Sequence, residues 1–125
     1  MIWTTIQVAL GGAIGASLRF LATTSILRLV GPGFPYAVLS VNILGSFLMG
    51  VLFIVTAQKG ITYMSPFLMT GILGGFTTFS AFSLDAFALF ERGQAGTAAI
   101  YICASVLLSI LGLFAGVMLA RGVFA

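Results

Sequence analysis

Apolar residues run along this chain in four long blocks, near 3–29, 36–57, 66–91 and 97–120, and polar residues collect between them. The separators GPGFP (31–35), QKGITYMS (58–65) and ERGQAG (91–96) are rich in turn formers or charge. Each block is long enough to cross a bilayer as a helix, which takes about 20 apolar residues. Trp3, Tyr36 and Tyr63 fall near the proposed boundaries, where amphipathic rings prefer to sit. The pattern predicts one all-α membrane domain over residues 1–125 with four transmembrane helices. The start, MIWTTIQVALGG, lacks a charged leader and a cleavage site, so it reads as the first span and not a signal peptide.

Composition sharpens this. The chain is 61% hydrophobic and 6% charged, with mean hydropathy +1.26, against roughly 25% charged residues in soluble domains. It has no histidine and a single cysteine, Cys103, which removes disulfides, Cys/His metal centres and the usual catalytic triads. No base and nucleophile pair suits an enzyme. The basic residues lie mostly between apolar blocks, so no nucleic-acid surface is expected; the expected surroundings are membrane lipid.

Charge also speaks to orientation. Lys/Arg in short loops normally bias topology. With both termini on one side, that side carries Lys59 and Arg121 and the other Arg28 and Arg92, a balance of two against two. Such a chain has little reason to prefer one orientation and is a candidate for inserting both ways. Small residues recur four apart at Gly11/Gly15, Gly12/Ala16, Ser46/Gly50, Gly71/Gly75 and Gly112/Gly116, the spacing of close helix contacts in lipid. With the small size of the chain, a homodimer is expected.

Polar groups at membrane depth are costly and need a reason. Arg19 either snorkels to the interface or places a fixed positive charge at the mouth of an aqueous vestibule. Asn42 offers amide donors to a neighbouring helix or to a pathway. Tyr101, Ser105 and Ser109 recur at i, i+4, i+8 and share one helix face, either back-bonding to their own carbonyls or replacing part of an ion's water. Asp85 and Glu91, late in the third block, read as interfacial.

The densest polar interruption is GGFTTFSAFS, 74–83. Gly74-Gly75 weaken the helix and Thr77-Thr78 compete for backbone hydrogen bonds, so the third helix is expected to unwind across Gly74–Thr78, near its middle. Freed carbonyls there suit a hard cation such as Na⁺. Phe79 and Phe82 follow three apart, as do Ser80 and Ser83. An aromatic edge is electropositive, so two rings turned edge-on favour an anion; otherwise the pair packs against lipid.

GGAIGASLRF (11–20), VNILGSFLMG (41–50) and above all GGFTTFSAFS resemble the Fluc/CrcB fluoride channels of microbes, over essentially the whole chain. The resemblance implies an antiparallel, dual-topology homodimer in the bacterial cytoplasmic membrane, with two fluoride pores and a central structural Na⁺. By the same resemblance Phe79 and Phe82 are the pore phenylalanines, with Ser80 and Ser83 beside them. Asn42 is the pore asparagine, Arg19 the vestibule arginine, and Tyr101, Ser105 and Ser109 the polar track. Gly74 and Thr77 are the Na⁺ ligands, through backbone carbonyls. Two departures stand out: Ala37-Val38 where the family often has Gly-Thr, and Leu108-Ser109 where it often has Gly-Ser. One hydroxyl of the track is therefore missing. The main competitor, a small dual-topology multidrug exporter, needs an acidic residue in the first span, which this chain lacks. A membrane anchor for a larger complex would not need the Phe/Ser/Thr constellation.

Overall fold

The computed structural model describes residues 1–124. Helix α1 spans Ile2–Val30 and α2 spans Tyr36–Gln58. The third span, Thr62–Glu91, is composite. A 3₁₀ turn, Thr62–Met64, leads into a π-helical segment, Pro66–Leu73, and a single α turn, Gly74–Phe76. After an interruption, helix α3 runs Phe79–Glu91, and α4 spans Ala95–Phe124. All four spans are long and apolar enough to cross a membrane. They overrun the apolar blocks by up to four residues because leaving the apolar zone does not end a helix; capping does. Gly31, with φ +75°, stops α1 by donating its N–H to the Leu27 carbonyl.

The outer surface is apolar. Ile6, Leu10, Ile14, Leu18 and Leu21 of α1, and Leu107, Ile110, Leu111, Phe114 and Met118 of α4, all face outward. Water would not tolerate that surface, and hydrocarbon does. Helices packed in lipid gain little from hiding more Leu, so close backbone approach decides their contacts. Gly11 and Gly71 meet so tightly that a Cβ built on either would stand 2.9 Å from the other's Cα. A Cβ on Gly75 would reach 2.8 Å from the Gly12 carbonyl oxygen, and one on Gly15 would overlap the Ile72 carbonyl. The wide π segment thus lies where α1 offers no side chains. On the other side, Gly50 and Gly116 let α2 and α4 meet at the Leu113 and Phe47 carbonyls. These small-residue faces are therefore used inside the subunit, and they do not by themselves argue for a dimer.

The connections at one end, 31–35 and 92–94, are tied by the Arg92 guanidinium, which donates from Nη2 to the Gly33 carbonyl at 3.2 Å. At the other end Lys59 lies 5.6 Å from the Phe124 ring centroid, joining the last turns of α2 and α4. Between the ends, Tyr101 and Leu89 are fully buried with Phe82 and Ala98, and Phe34, Val38, Leu39 and Ala86 close over them.

Candidate anion groove at the helix break

The interruption is shorter than the sequence suggests. Gly74 stays helical at φ −62°, ψ −35°, and only Thr77 and Thr78 are extended, with ψ 159° and 122°. Two glycines do not unwind a helix whose other face is clamped against α1; the rupture falls where side chains outside the helix capture the backbone. Asn42 is the captor. Its Oδ1 accepts from the Thr78 N–H at 2.8 Å, and its Nδ2 donates to the Thr78 carbonyl at 3.0 Å. A helix would have sent that N–H to the Gly74 carbonyl. Thr78 then caps α3, its Oγ1 accepting from the Ala81 N–H at 3.1 Å. That amide is the helical partner of the Thr77 carbonyl. Both Gly74 and Thr77 therefore lose the N–H that regular helix would give their carbonyls. Thr77 itself is held by its N–H and its hydroxyl, both donating to the Leu73 carbonyl, at 3.0 and 3.1 Å.

Beside the break lies a groove of about 320 Å³ between α2, α3 and α4, lined by Asn42, Ser46, Phe79, Phe82, Ser105 and Ser109 with Thr77, Thr78, Val106 and Ile110. Phe79 and Phe82 meet edge to face, centroids 5.3 Å apart and planes at 71°. They differ sharply in setting: Phe82 is 8% exposed and Phe79 76%. The groove has a finished wall on one side and is open on the other. Ser105 Oγ is buried and closes no hydrogen bond, the one such side-chain atom among the described residues.

Not every predicted residue reaches this groove. Tyr101 lies beyond Phe82, with ring centroids 5.3 Å apart, and its hydroxyl donates to Asp85 Oδ2 at 3.3 Å. Ser80 sits on the other face of α3, in a cleft of about 460 Å³ with Arg19, Thr23, Val38, Thr78, Ala81 and Leu84. Its Oγ lies 3.3 Å from Thr78 Oγ1. Ser83 is exposed and returns its hydroxyl to the Phe79 carbonyl at 3.0 Å. The spacing of three that joins Ser80 to Ser83 carries both away from the ring face, because Phe79 and Phe82 occupy it. Arg19 shares a cleft with the break, and no ion pair forms among the described residues.

Two contributors escaped the sequence reading. Asp85 continues the 79–82 step of three, so its place on the ring face was available from spacing. Phe34, from GPGFP, packs edge-on to Tyr101 at 5.6 Å and against Tyr36 at 4.8 Å. The result is an aromatic column from Phe79 to the loop. No periodicity predicts a loop ring folding back.

Residues 6–117 match the family described as CrcB-like protein, Camphor Resistance (CrcB). The chain belongs to the CrcB family. A relative from Cereibacter sphaeroides (strain ATCC 17029 / ATH 2.4.9), named "Fluoride-specific ion channel FluC", is 62% identical over 122 residues, 98% of each chain. One of the same name from Ruegeria sp. (strain TM1040) is 61% identical over 124 residues, again 98% of each. Another from Agrobacterium fabrum (strain C58 / ATCC 33970) is 53% identical over 119 residues, 94% of this chain and 95% of that one. These CrcB relatives are ion channels by name, and not enzymes. Family and four apolar spans together make this a multi-pass membrane protein.

Proposed function

We propose that the chain forms a fluoride-selective channel that lets fluoride leave the bacterial cell passively across the cytoplasmic membrane and so relieves its toxicity. The observation that carries the reading is the groove, where an edge-to-face phenylalanine pair, an amide and unpaired serine hydroxyls meet at a broken helix. No acid lines it. Ring edges attract an anion weakly, which suits passage because tight binding stalls it. The hydroxyls supply the stronger donors that fluoride needs when it sheds water.

The working unit is an antiparallel homodimer with two pores. The open side of the groove and the exposed Phe79 ring support this, since a second copy would wall them, and the balanced loop charges support opposite insertion. A structural Na⁺ belongs at the break. The residues fit it: the Gly74 and Thr77 carbonyls are hard oxygen donors without their helical N–H partners. A bound cation supplies fixed positive charge beside the anion path.

Reconstitution in liposomes with a fluoride electrode tests the reading. Fluoride efflux far above that of protein-free vesicles, dependent on Na⁺ but without ²²Na⁺ crossing, is expected. Absence of fluoride efflux in Na⁺ sinks the channel, and stoichiometric ²²Na⁺ movement turns it into a coupled transporter.

A further inference from the structure

We infer that Ser46 is a further anion-binding residue of the groove, a hydroxyl on α2 that faces the same passing ion as Ser105 and Ser109 on α4. The inference rests on the channel reading and deepens it. Ser46 stands one helical turn after Asn42 and on the same face, so the residue that clamps the break and the serine line one wall. Its small size at a contact spacing with Gly50 suggests helix packing, but the two residues divide the work. Gly50 presses on the Leu113 carbonyl of α4, whereas Ser46 is half-buried and lines the groove.

The chemistry around Ser46 is donor-poor in one respect. Asn42 commits Oδ1 and one Nδ2 hydrogen to Thr78 and keeps a single N–H to offer. Tyr101 is bound to Asp85. What remains in the groove are the hydroxyls. Thr77 returns its own to the Leu73 carbonyl four residues back, at 3.1 Å, as Thr56 and Ser83 do outside the groove, at 2.7 and 3.0 Å. Ser46 and Ser109 close no such bond, and Ser105 is buried without any partner. A buried hydroxyl without a partner costs about 1–3 kcal/mol, so an orphan serine beside two more unpaired ones in a cavity points to something that accepts their hydrogens. Phenylalanine edges and the N-terminal end of α3 at the same cavity favour a negative guest over a cation. Beside the one N–H that Asn42 keeps, Ser46 is the hydroxyl that α2 offers to this groove.

The test compares Ser46→Ala and Ser46→Thr with the unsubstituted protein and Phe82→Ile, all reconstituted at equal protein density after matching elution. Removing one hydrogen bond to a charged species is worth tenfold or somewhat more, so Ser46→Ala should lower fluoride efflux by about tenfold. It should also raise the fluoride concentration at half-saturation, which a packing role would leave alone. Ser46→Thr keeps the hydroxyl and should keep most of the flux. Full flux in Ser46→Ala, with Phe82→Ile inactive, overturns the role of Ser46 and leaves the channel standing. Equal loss in the Ala and Thr forms also overturns it, since width and not the hydroxyl would then matter. An unsubstituted protein that passes no fluoride removes the channel itself, and this inference with it.

Discussion

The third span carries two halves built on different terms. Before the break, Pro66–Phe76 is held by backbone against backbone, with Gly11, Gly12 and Gly15 of α1 lying on Gly71, Ile72 and Gly75. Nothing there is chemically distinctive, and Gly11, Gly15, Gly71 and Gly75 leave no room for a side chain. After the break, α3 is held by side chains: Phe82 and Leu89 enter the core with Tyr101 and Ala98, Asp85 takes the Tyr101 hydroxyl, and Phe79 stands free. The first half fixes where the carbonyl ends of the break lie, and the second aims rings and amides at the groove. On the channel reading proposed above, this arrangement is an advantage, because the rigid part need not carry the selective groups.

The largest effect should come from the glycine half. Gly15→Val places branched carbon on the Ile72 carbonyl, and that backbone cannot yield without separating α1 from the π segment. Overpacking typically costs about 1–3 kcal/mol, more when backbone is the obstacle. Loss of folded protein, read as aggregation on gel filtration in detergent, is expected. Gly12→Ala is the matched control, since a Cβ there meets nothing within 4 Å. If Gly15→Val elutes as the unsubstituted protein does, the contrast between the halves is gone.

The second effect falls on function and leaves the fold. Phe79→Ile and Phe82→Ile keep hydrophobicity and approximate volume but remove the ring quadrupole. Fluoride efflux from liposomes should fall by orders of magnitude with elution unchanged. Phe90→Ile, on the exposed end of α3 and away from the groove, should be nearly silent. Phe82→Ile will also cost the single subunit some stability because the ring is buried within it, whereas Phe79 is exposed there. Unchanged efflux in both variants reduces the ring pair to packing.

This division was only half legible in the sequence. The four spans were written in the apolar blocks, and the groove lining in the steps from Phe79 to Phe82 and from Ser105 to Ser109, whereas Tyr101, one turn earlier on the same face, lies beyond the groove. Local spacing settles such features. The position of the break was not, because Gly74 and Gly75 look like the weak point until α1 is known to cover Gly75. What severs the helix is Asn42, remote in sequence, and no local rule weighs that pair of hydrogen bonds. Ser80 and Ser83 were drawn to the site by proximity in the chain, yet a helix carries them to other faces than the rings. Phe34 depends on a loop fold that its own residues do not announce.

The smallest effect concerns the joint between the halves. Asn42 replaces the hydrogen bond that the Thr78 N–H forgoes by leaving the helix, and adds a donor to the Thr78 carbonyl, which as the cap of α3 also takes the first bond of that helix. Asn42→Ala leaves one part-buried backbone group, the Thr78 N–H, unpaired, at about 1–3 kcal/mol. That is too little to unfold a packed bundle, and the glycine contacts of the first half remain. The backbone has an alternative as well: without Asn42, the Thr78 N–H can return to the Gly74 carbonyl and continue the helix through the break. The Thr78 amide should stay protected from hydrogen exchange if the helix heals, and exchange faster if the break persists empty. In either case elution should be unchanged, thermal stability should fall slightly, and Na⁺ should lose its effect on efflux if healing reclaims the Gly74 carbonyl. Fast exchange at Thr78 with Na⁺ dependence intact would show that the break is imposed by the two threonines and not by Asn42. The joint would then belong to the second half alone.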